Sequence, residues 1–244
     1  MSPIHVRARP GDVAPIVFLV GDPGRAHFGA SKLEGARLYN EFRGLIGYTG
    51  RYKNIEVSFQ TTGMGGPSAA IVCEEMADLG AKVLVRLGTC GGTRAGIRPN
   101  DLVIATAACP LDGASREYVG GDPYAPTATF RVVRALVEAA ERLGTPHHVG
   151  PVATEDALYL VREGFVEKWA RRGVLAQEME ASAIFTVAAL RGLEAGCVLT
   201  VSNQAGQHQR LPDDELVVGV ERMIHVGLEA AVALGVQVAT DSHR

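Results

Sequence analysis

Cysteine is scarce and scattered in this sequence of 244 residues: Cys73, Cys90, Cys109 and Cys197 include no C-x-x-C pair. That spacing indicates neither a disulfide framework nor a zinc site, and reduced, mostly buried thiols are the expectation. Excess positive charge is also missing. With 24 Lys and Arg against 27 Asp and Glu the formal net charge is −3, which leaves no global positive field of the kind that usually carries nucleic-acid or anionic-membrane binding. Any anion site must therefore be local. No apolar run approaches the ~20 residues of a spanning helix. The start "MSPIHVRARPGD" lacks the charged-then-apolar order of a signal peptide. A cytoplasmic protein that meets neither membrane nor nucleic acid is expected. Three further signatures are absent: G-x-x-x-x-G-K-[ST], G-x-G-x-x-G and G-x-S-x-G, so a P-loop, a standard dinucleotide site and an α/β-hydrolase elbow are all unsupported.

What is present is enough apolar side chain, 47% of the residues, to fill a substantial core. "PIVFLV" (15–20), "EVSFQTTG" (56–63), "KVLVRLGT" (82–89), "DLVIATAAC" (101–109), "HHVGPVAT" (147–154) and "GCVLTVS" (196–202) read as strands. Between them lie helical patterns: "PSAAIVCEEMADLG" closed by Gly80, "FRVVRALVEAAERLG" closed by Gly144, "EMEASAIFTVAALRG" closed by Gly192, and "DDELVVGVERMIHVGLEAAVALG" closed by Gly235. Alternating strands and helices predict an α/β structure with a parallel or mixed sheet. No linker or repeat divides the chain, so one domain over 1–244 is expected, with residues 236–244 as a tail.

In open α/β sheets, chemistry gathers beyond the carboxyl ends of strands, where loops present polar groups on a rigid base. At the first such end, "VGDPGRAHFG" leads a buried strand into a Gly-Asp-Pro-Gly turn and then Arg25. Backbone N–H groups there, with the Arg25 guanidinium, would suit a phosphate. An ordinary turn with a surface arginine fits the same residues. Arg86, inside "VLVRLGT", has apolar neighbours on both sides and needs an anion or a path to solvent, because an unpaired buried charge is very costly. Thr89, in the "LGTCGG" that follows, can donate a hydroxyl, and Gly88, Gly91 and Gly92 allow close backbone approach. Arg43, in "NEFRGLIGYTG", is a third candidate cation, with a solvated loop residue as the default from spacing alone. Glu178 and Glu180, two apart at a helix start, should point to different sides, leaving at most one for a given pocket. A carboxylate there can accept two hydrogen bonds from a vicinal diol, or merely complement the helix dipole. Finally, the strand "CVLTVS" stops in a cluster of amides, Asn203, Gln204, Gln207 and Gln209, which offers neutral hydrogen-bonding groups in place of a charge.

Taken together, "GDPGR", "FRGLIGYTG", "TTGMGGPS", "VRLGTCGG", "EMEASA" and "TVSN" occur in an order and approximate spacing that resembles the nucleoside phosphorylase family, which includes hexameric bacterial purine nucleoside phosphorylases and uridine phosphorylases. The likeness runs from about Pro3 to about Leu234 and is greatest to the small-subunit, purine-cleaving members. It implies a central mixed, barrel-like β-sheet surrounded by helices. It further implies a reaction in which inorganic phosphate displaces a base from ribose to give ribose 1-phosphate, without metal or organic cofactor. By the same resemblance Gly21, Arg25, Arg86 and Thr89 hold phosphate, joined by Arg43 from a neighbouring subunit. Glu180 binds the ribose hydroxyls, with Met64 and Met179 packed on the sugar. His5, in "PIHVRA", reaches toward the ribose 5′-hydroxyl in an adjacent subunit's site. The base falls to Leu158, Tyr159, Gln177, Glu178, Ser202 and Asn203, and the catalytic set is Arg86, Glu180 and Asn203. The implied assembly is a homo-oligomer, a hexamer built as a trimer of dimers.

Two departures from the family pattern bear on the base. Broad-specificity purine members carry an Asp after the "TVS" strand as general acid toward N7, assisted by an Arg further along; here Asn203 and Leu216 hold those positions, with Arg210 nearby. An amide supplies no proton, but its NH2 donates and its oxygen accepts. The expected substrates are therefore 6-oxopurine nucleosides, inosine and guanosine, ahead of adenosine. Where members stack an aromatic after the "VGPVAT" strand, this sequence offers Leu158 followed by Tyr159. Uridine phosphorolysis is the alternative, although "YLVREGF" has only Arg162 where uridine enzymes read uracil with Gln-x-Arg. A nucleosidase would have no reason to keep three arginines, and a noncatalytic nucleoside-binding protein is the reading from another class. The segment from Gln204 to about Asp214 fits a lid over the base or a plain surface loop.

Overall fold

Five consecutive apolar residues form the first strand, β1 (Ile16–Val20), which is buried along its whole length. The computed structural model describes residues 3–203 and 209–241, with side chains up to 235; Gln204 and Gln207 of the amide cluster, and residues 204–208 of the segment read as a lid, lie outside the described residues. β1 lies parallel to both β4 (Ile55–Thr61) and β5 (Val83–Gly92). Alternate residues of this central pair divide between two cores, as the two-residue period of a strand requires. Val17, Leu19 and Leu84 face α2 (Gly66–Asp78) and α6 (Ala181–Leu190). Phe18, Val20, Val85 and Leu87 face α4 (Phe130–Arg142) and α7 (Asp213–Asp241).

On one side the sheet continues outward through β4 and β3 (Gly47–Tyr52) to β2 (Glu34–Asn40), all antiparallel. The two-residue hairpin between β3 and β4 places Lys53 and Asn54 at φ 46° and 67°, the left-handed pair that matches strand twist in such a turn. On the other side the sheet closes. β5 pairs in parallel with β9 (Glu194–Asn203), which pairs antiparallel with β6 (Leu102–Pro110). β6 and β7 (His147–Thr154) run parallel, and the short β8 (Ala176–Glu178) joins β7 back to the end of β5 through Gly91 and Gly92. The ring β5–β8–β7–β6–β9 makes a closed mixed barrel, and β5 belongs to both the barrel and the open wing. With α1 (Pro23–Ala30), α3 (Gly113–Tyr118) and α5 (Phe165–Ala170), seven helices among the described residues surround one α/β domain. No helix among them is long and apolar enough to cross a membrane.

Three expectations need correction. The helix predicted to begin at Glu178 begins at Ala181: Ala176–Glu178 is a strand instead, because its backbone completes the barrel, and Glu180 occupies the N-cap. Gly235 does not close α7, which runs on to Asp241, so the tail expected over 236–244 is helical at least that far. A Cβ on Gly235 would stand 2.7 Å from Ile55, so the glycine serves close packing on β4 and not a C-cap. Asp22 starts α1, which the sequence reading left as a turn: its side chain accepts the Gly24 N–H at 2.9 Å, and Pro23 occupies the first turn. Gly80, Gly144 and Gly192, by contrast, adopt left-handed φ of 100°, 61° and 67° just beyond the helices they were expected to close.

The contact between β9 and α4 depends on the absence of a side chain at Gly196, where a Cβ would lie 2.3 Å from Val132. Gly196→Ala should therefore destabilise the fold by about 1–3 kcal/mol through overpacking, read from the midpoint of urea unfolding.

Candidate active site

The carboxyl ends of β1, β5, β8 and β9 converge on one region, and Arg86 lies at its centre. Arg86 shares the strand parity of Leu84, so its side chain leaves the sheet on the α2–α6 side; it is only 4% exposed. Its guanidinium folds back over Gly88, where a Cβ would come within 2.7 Å of Arg86 Cζ and Nη2. Arg86 Nε donates to Glu178 Oε2 at 2.9 Å, and Nη2 forms an ion pair with Glu180 Oε2. Burial works against the charge, but Glu180 and then Glu178 outweigh it and hold Arg86 above its ordinary pKa.

Both carboxylates therefore turn to the same cation, against the expectation that they face different sides. The reason is the strand-to-helix junction. Glu178 is the last residue of β8 and Glu180 precedes α6, so helical periodicity does not relate them. Glu178 is not available to a base: its side chain is wholly buried, and its oxygens accept from the Thr154 hydroxyl and, at 2.9 Å, from Arg86 Nε and the N–H groups of Glu180 and Ala181. Burial raises its pKa, Arg86 opposes the rise and the Glu180 charge adds to it. Behind it a buried polar chain continues: Thr154 Oγ1 accepts the Ser182 N–H at 3.0 Å, and the Ser182 hydroxyl donates to Asp112, which also binds Ser115. Glu180 keeps one oxygen, Oε1, on the Gly65 N–H at 2.7 Å, which ties the Gly63–Gly65 loop to the same centre.

Arg25, from the first turn of α1, reaches the same place. Its Nη1 donates to Leu87 O at 3.2 Å, and its Nε stands 3.7 Å from Asp22. Burial and then the like charge of Arg86 lower its pKa. Gly21 keeps this approach open, since a Cβ would meet Gly63 O at 3.3 Å and Arg25 Nη2 at 3.9 Å. Thr89 is half-buried at the end of β5, and its hydroxyl has no protein partner among the described residues. Two guanidiniums thus meet on the carboxyl side of the sheet beside two carboxylates, a setting able to take a dianion next to a diol.

The amides form a second group, round Gly91. Asn203 stands 3.3 Å from where a Gly91 Cβ would be, and Gln177 Cγ 3.5 Å. The Ser202 hydroxyl lies 3.0 Å from both Cys90 O and Asn203 Oδ1, which orients the Asn203 amide. Gln177 Oε1 is buried without a hydrogen-bond partner among the described residues. Met179 is half-buried between the two carboxylates in sequence, whereas Met64 is exposed on its glycine-flanked loop. Leu158 and Tyr159 are not packed into this region: they are 64% and 93% exposed on the loop after β7, part of an apolar run that continues through Val161. Arg162, on the same loop, pairs with Glu155 at 3.2 Å. Leu216 is buried and brings no charge, and Arg210 pairs with Asp213.

His5 and Arg43 belong to a separate edge, and no hydrogen bond or ion pair among the described residues joins them to Arg25, Arg86 or Glu180. Arg43 is exposed in the short 3-10 turn Phe42–Gly44 with φ 57°, a left-handed conformation uncommon for a residue with a side chain. Arg7, on the N-terminal arm, stacks its guanidinium 3.3 Å from the centre of the Phe42 ring. His5 Nδ1 lies 2.9 Å from Glu75 Oε1. Sequence reading missed Glu75 and Thr154. Glu75 was legible as an acid on the same helical face as Val72, Met76 and Leu79; Thr154 had no such signal.

Comparison with known proteins bears on this geometry. A family model described as the phosphorylase superfamily matches residues 15–233. The chain is 41% identical over 234 residues to a purine nucleoside phosphorylase DeoD-type from Geobacillus kaustophilus (strain HTA426), covering 95% of this chain and 99% of the relative. It is 38% identical to the protein so named from Jannaschia sp. (strain CCS1), covering 93% and 98%. Clostridium perfringens (strain SM101 / Type A) has another so named, 38% identical with coverage of 95% and 99%.

Removing the carboxylate of Glu178 would leave Thr154, two N–H groups and half of the Arg86 pairing unanswered in the interior. Glu178→Leu should destabilise the protein by about 3–5 kcal/mol in denaturant titration, the range for one partner lost from a buried charge pair.

Proposed function

The chain belongs to the phosphorylase superfamily, and on that premise we propose that it is an enzyme that cleaves purine ribonucleosides with inorganic phosphate, releasing the free base and ribose 1-phosphate. The observation that carries this reading is the meeting of Arg25, from the first turn of α1, with Arg86 inside β5, directly beside Glu180. Phosphate is dianionic near neutral pH and a weak nucleophile, so it must be concentrated and aimed. Arg25, Arg86 and the Thr89 hydroxyl supply that, with Gly21 leaving room and Arg43 arriving from a second copy. Glu180 accepts from the ribose 2′- and 3′-hydroxyls, while Met179 and Met64 pack on the sugar. As the glycosidic bond lengthens, positive charge develops on the sugar and the bound phosphate stabilises it.

The departing base meets Ser202, Asn203 and Gln177. Asn203 can donate a hydrogen bond but holds no proton to give, so the reaction depends on a leaving group that needs none. This favours 6-oxopurines, inosine and guanosine, over adenosine. The proposed working form is cytoplasmic and oligomeric, a hexamer arranged as a trimer of dimers, because His5 and Arg43 serve a neighbouring site. Phosphate is the co-substrate and no cofactor enters the scheme.

Base release from inosine, guanosine, adenosine and uridine, each with and without phosphate, tests the reading. Phosphate-dependent cleavage of inosine and guanosine with weak adenosine turnover is expected; uridine cleavage or phosphate-independent release would overturn it. Asn203→Asp restores an acid at the base and should raise adenosine turnover relative to inosine at least about tenfold, within what general acid catalysis supplies.

A further inference from the structure

Glu75 does more than end the N-terminal arm. It lies on α2 amid apolar neighbours, only 9% exposed, and its carboxylate gathers four donors from three consecutive residues. Oε1 accepts from Ile4 N at 3.0 Å, from His5 N at 3.1 Å and from His5 Nδ1 at 2.9 Å, and Oε2 accepts from Val6 N at 2.6 Å. Val6 is buried, while Ile4 is exposed and the His5 side chain is 25% exposed, so the arm is pinned by its backbone and the imidazole is only partly open to solvent. Asn40 fastens the same arm from the other side, accepting the Arg7 N–H at 3.0 Å. Burial alone would raise the Glu75 pKa, but the N–H groups of Val6, His5 and Ile4 and the His5 ring outweigh it and hold the carboxyl below its ordinary value. At neutral pH it is therefore an acceptor only.

An acceptor-only group 2.9 Å from Nδ1 requires the imidazole to carry its proton there. In the neutral ring Nε2 is then bare, and it has no protein partner among the described residues. A bare ring nitrogen accepts from a hydroxyl. It has nothing to offer an ether, a thioether or the acceptor oxygens of a phosphate ester.

We propose that Glu75 is a positioning residue that fixes the tautomer of His5, and so makes the site it serves select nucleosides carrying a free 5′-hydroxyl that donates to His5 Nε2. The proposal rests on the reading that His5 serves the sugar of a nucleoside substrate in a second copy of the chain. It adds a residue that never touches the substrate and a specificity at the 5′ position that follows from hydrogen-bond direction.

The test compares kcat/KM for inosine and 5′-O-methylinosine at saturating phosphate in the wild type, Glu75→Gln, Glu75→Ala and His5→Ala, with the His5 ring nitrogens of the full chain followed by 15N NMR. In Glu75→Gln the amide cannot satisfy every donor; with its oxygen on Val6 N, its NH2 faces Nδ1 and favours the other tautomer. The expected result is that inosine, whose 5′-hydroxyl can accept as well as donate, stays within about threefold in Glu75→Gln. Turnover of 5′-O-methylinosine, whose ether oxygen accepts from the Nε2–H of the switched tautomer, should rise relative to inosine about three- to tenfold in both Glu75 variants, one neutral hydrogen bond's worth, so that the preference for inosine falls toward that of His5→Ala. The wild-type spectrum should show Nδ1 protonated and Nε2 bare, and Glu75→Gln should shift that balance. Equal losses on both substrates would make Glu75 a structural staple only and overturn the proposal. If His5→Ala lost the preference while the Glu75 variants kept it, the role of His5 would stand and that of Glu75 would fall. If His5→Ala kept the preference, the reading of His5 would itself be wrong. A wild-type ring protonated at Nε2 would refute the tautomer assignment whether or not any nucleoside turned over.

Discussion

The interaction on which the rest depends is the burial of one arginine between two carboxylates. Arg86 sits inside a strand whose neighbours are apolar, and a cation there is tolerable only with anions at hydrogen-bond distance. Those anions come from one tripeptide, Glu178-Met179-Glu180, almost a hundred positions later in the chain. To deliver both, the backbone must leave β8 as an extended strand and enter α6 abruptly, and β8 is also the strand that closes the barrel onto β5. Closing the sheet and neutralising the arginine are therefore one constraint. The buried chain through Thr154, Ser182 and Asp112 extends it, because each hydroxyl and N–H in it has a partner that would be lost with any member.

Around that centre the charges are close to balance: Arg25 and Arg86 against Glu178 and Glu180. Arg25, its pKa lowered by burial and by its neighbour, has only a long ion pair with Asp22, at 3.7 Å. A dianion entering beside Arg25 and Thr89 would complete the arrangement, and Glu180 would turn part of its attention from Arg86 to the hydroxyls of the sugar. In the proposed reaction the phosphate end of the site is thus electrostatic and the base end is not. Ser202, Asn203 and Gln177 discriminate by matching donors to acceptors in a confined space, where a mismatch leaves a polar group unpaired.

His5 and Arg43 show a different logic. Arg43 is exposed and the His5 ring partly so, on a rigid edge: the arm is tied down by Glu75, Asn40 and the Arg7–Phe42 stack, and Arg43 is held in a left-handed turn. Rigid backbone beneath exposed or partly exposed polar side chains suits contributions made to another molecule, because the ordering entropy is met by the fold before any encounter.

Much of this is legible in the amino-acid sequence. The six predicted strands, the helices ended by Gly80, Gly144 and Gly192, and the candidate cations Arg25 and Arg86 follow from local rules of periodicity, capping and charge burial, which act over a few residues. Other elements were invisible for the same reason. β2, β3 and β8 carry weak patterns of their own and exist because neighbouring strands need partners; α7 passes through Gly235 because Ile55 of β4 packs against it. That Glu178 and Glu180 would share one arginine, that Glu178 would be sealed from any ligand, and that Leu158 and Tyr159 would stand in solvent depended on strand closure and on contacts far apart in sequence. The sequence by itself determined which segments could be buried and which polar groups would then need partners. Only the tertiary structure decided which partners they found, because a buried charge is satisfied by whatever the fold brings within hydrogen-bond reach.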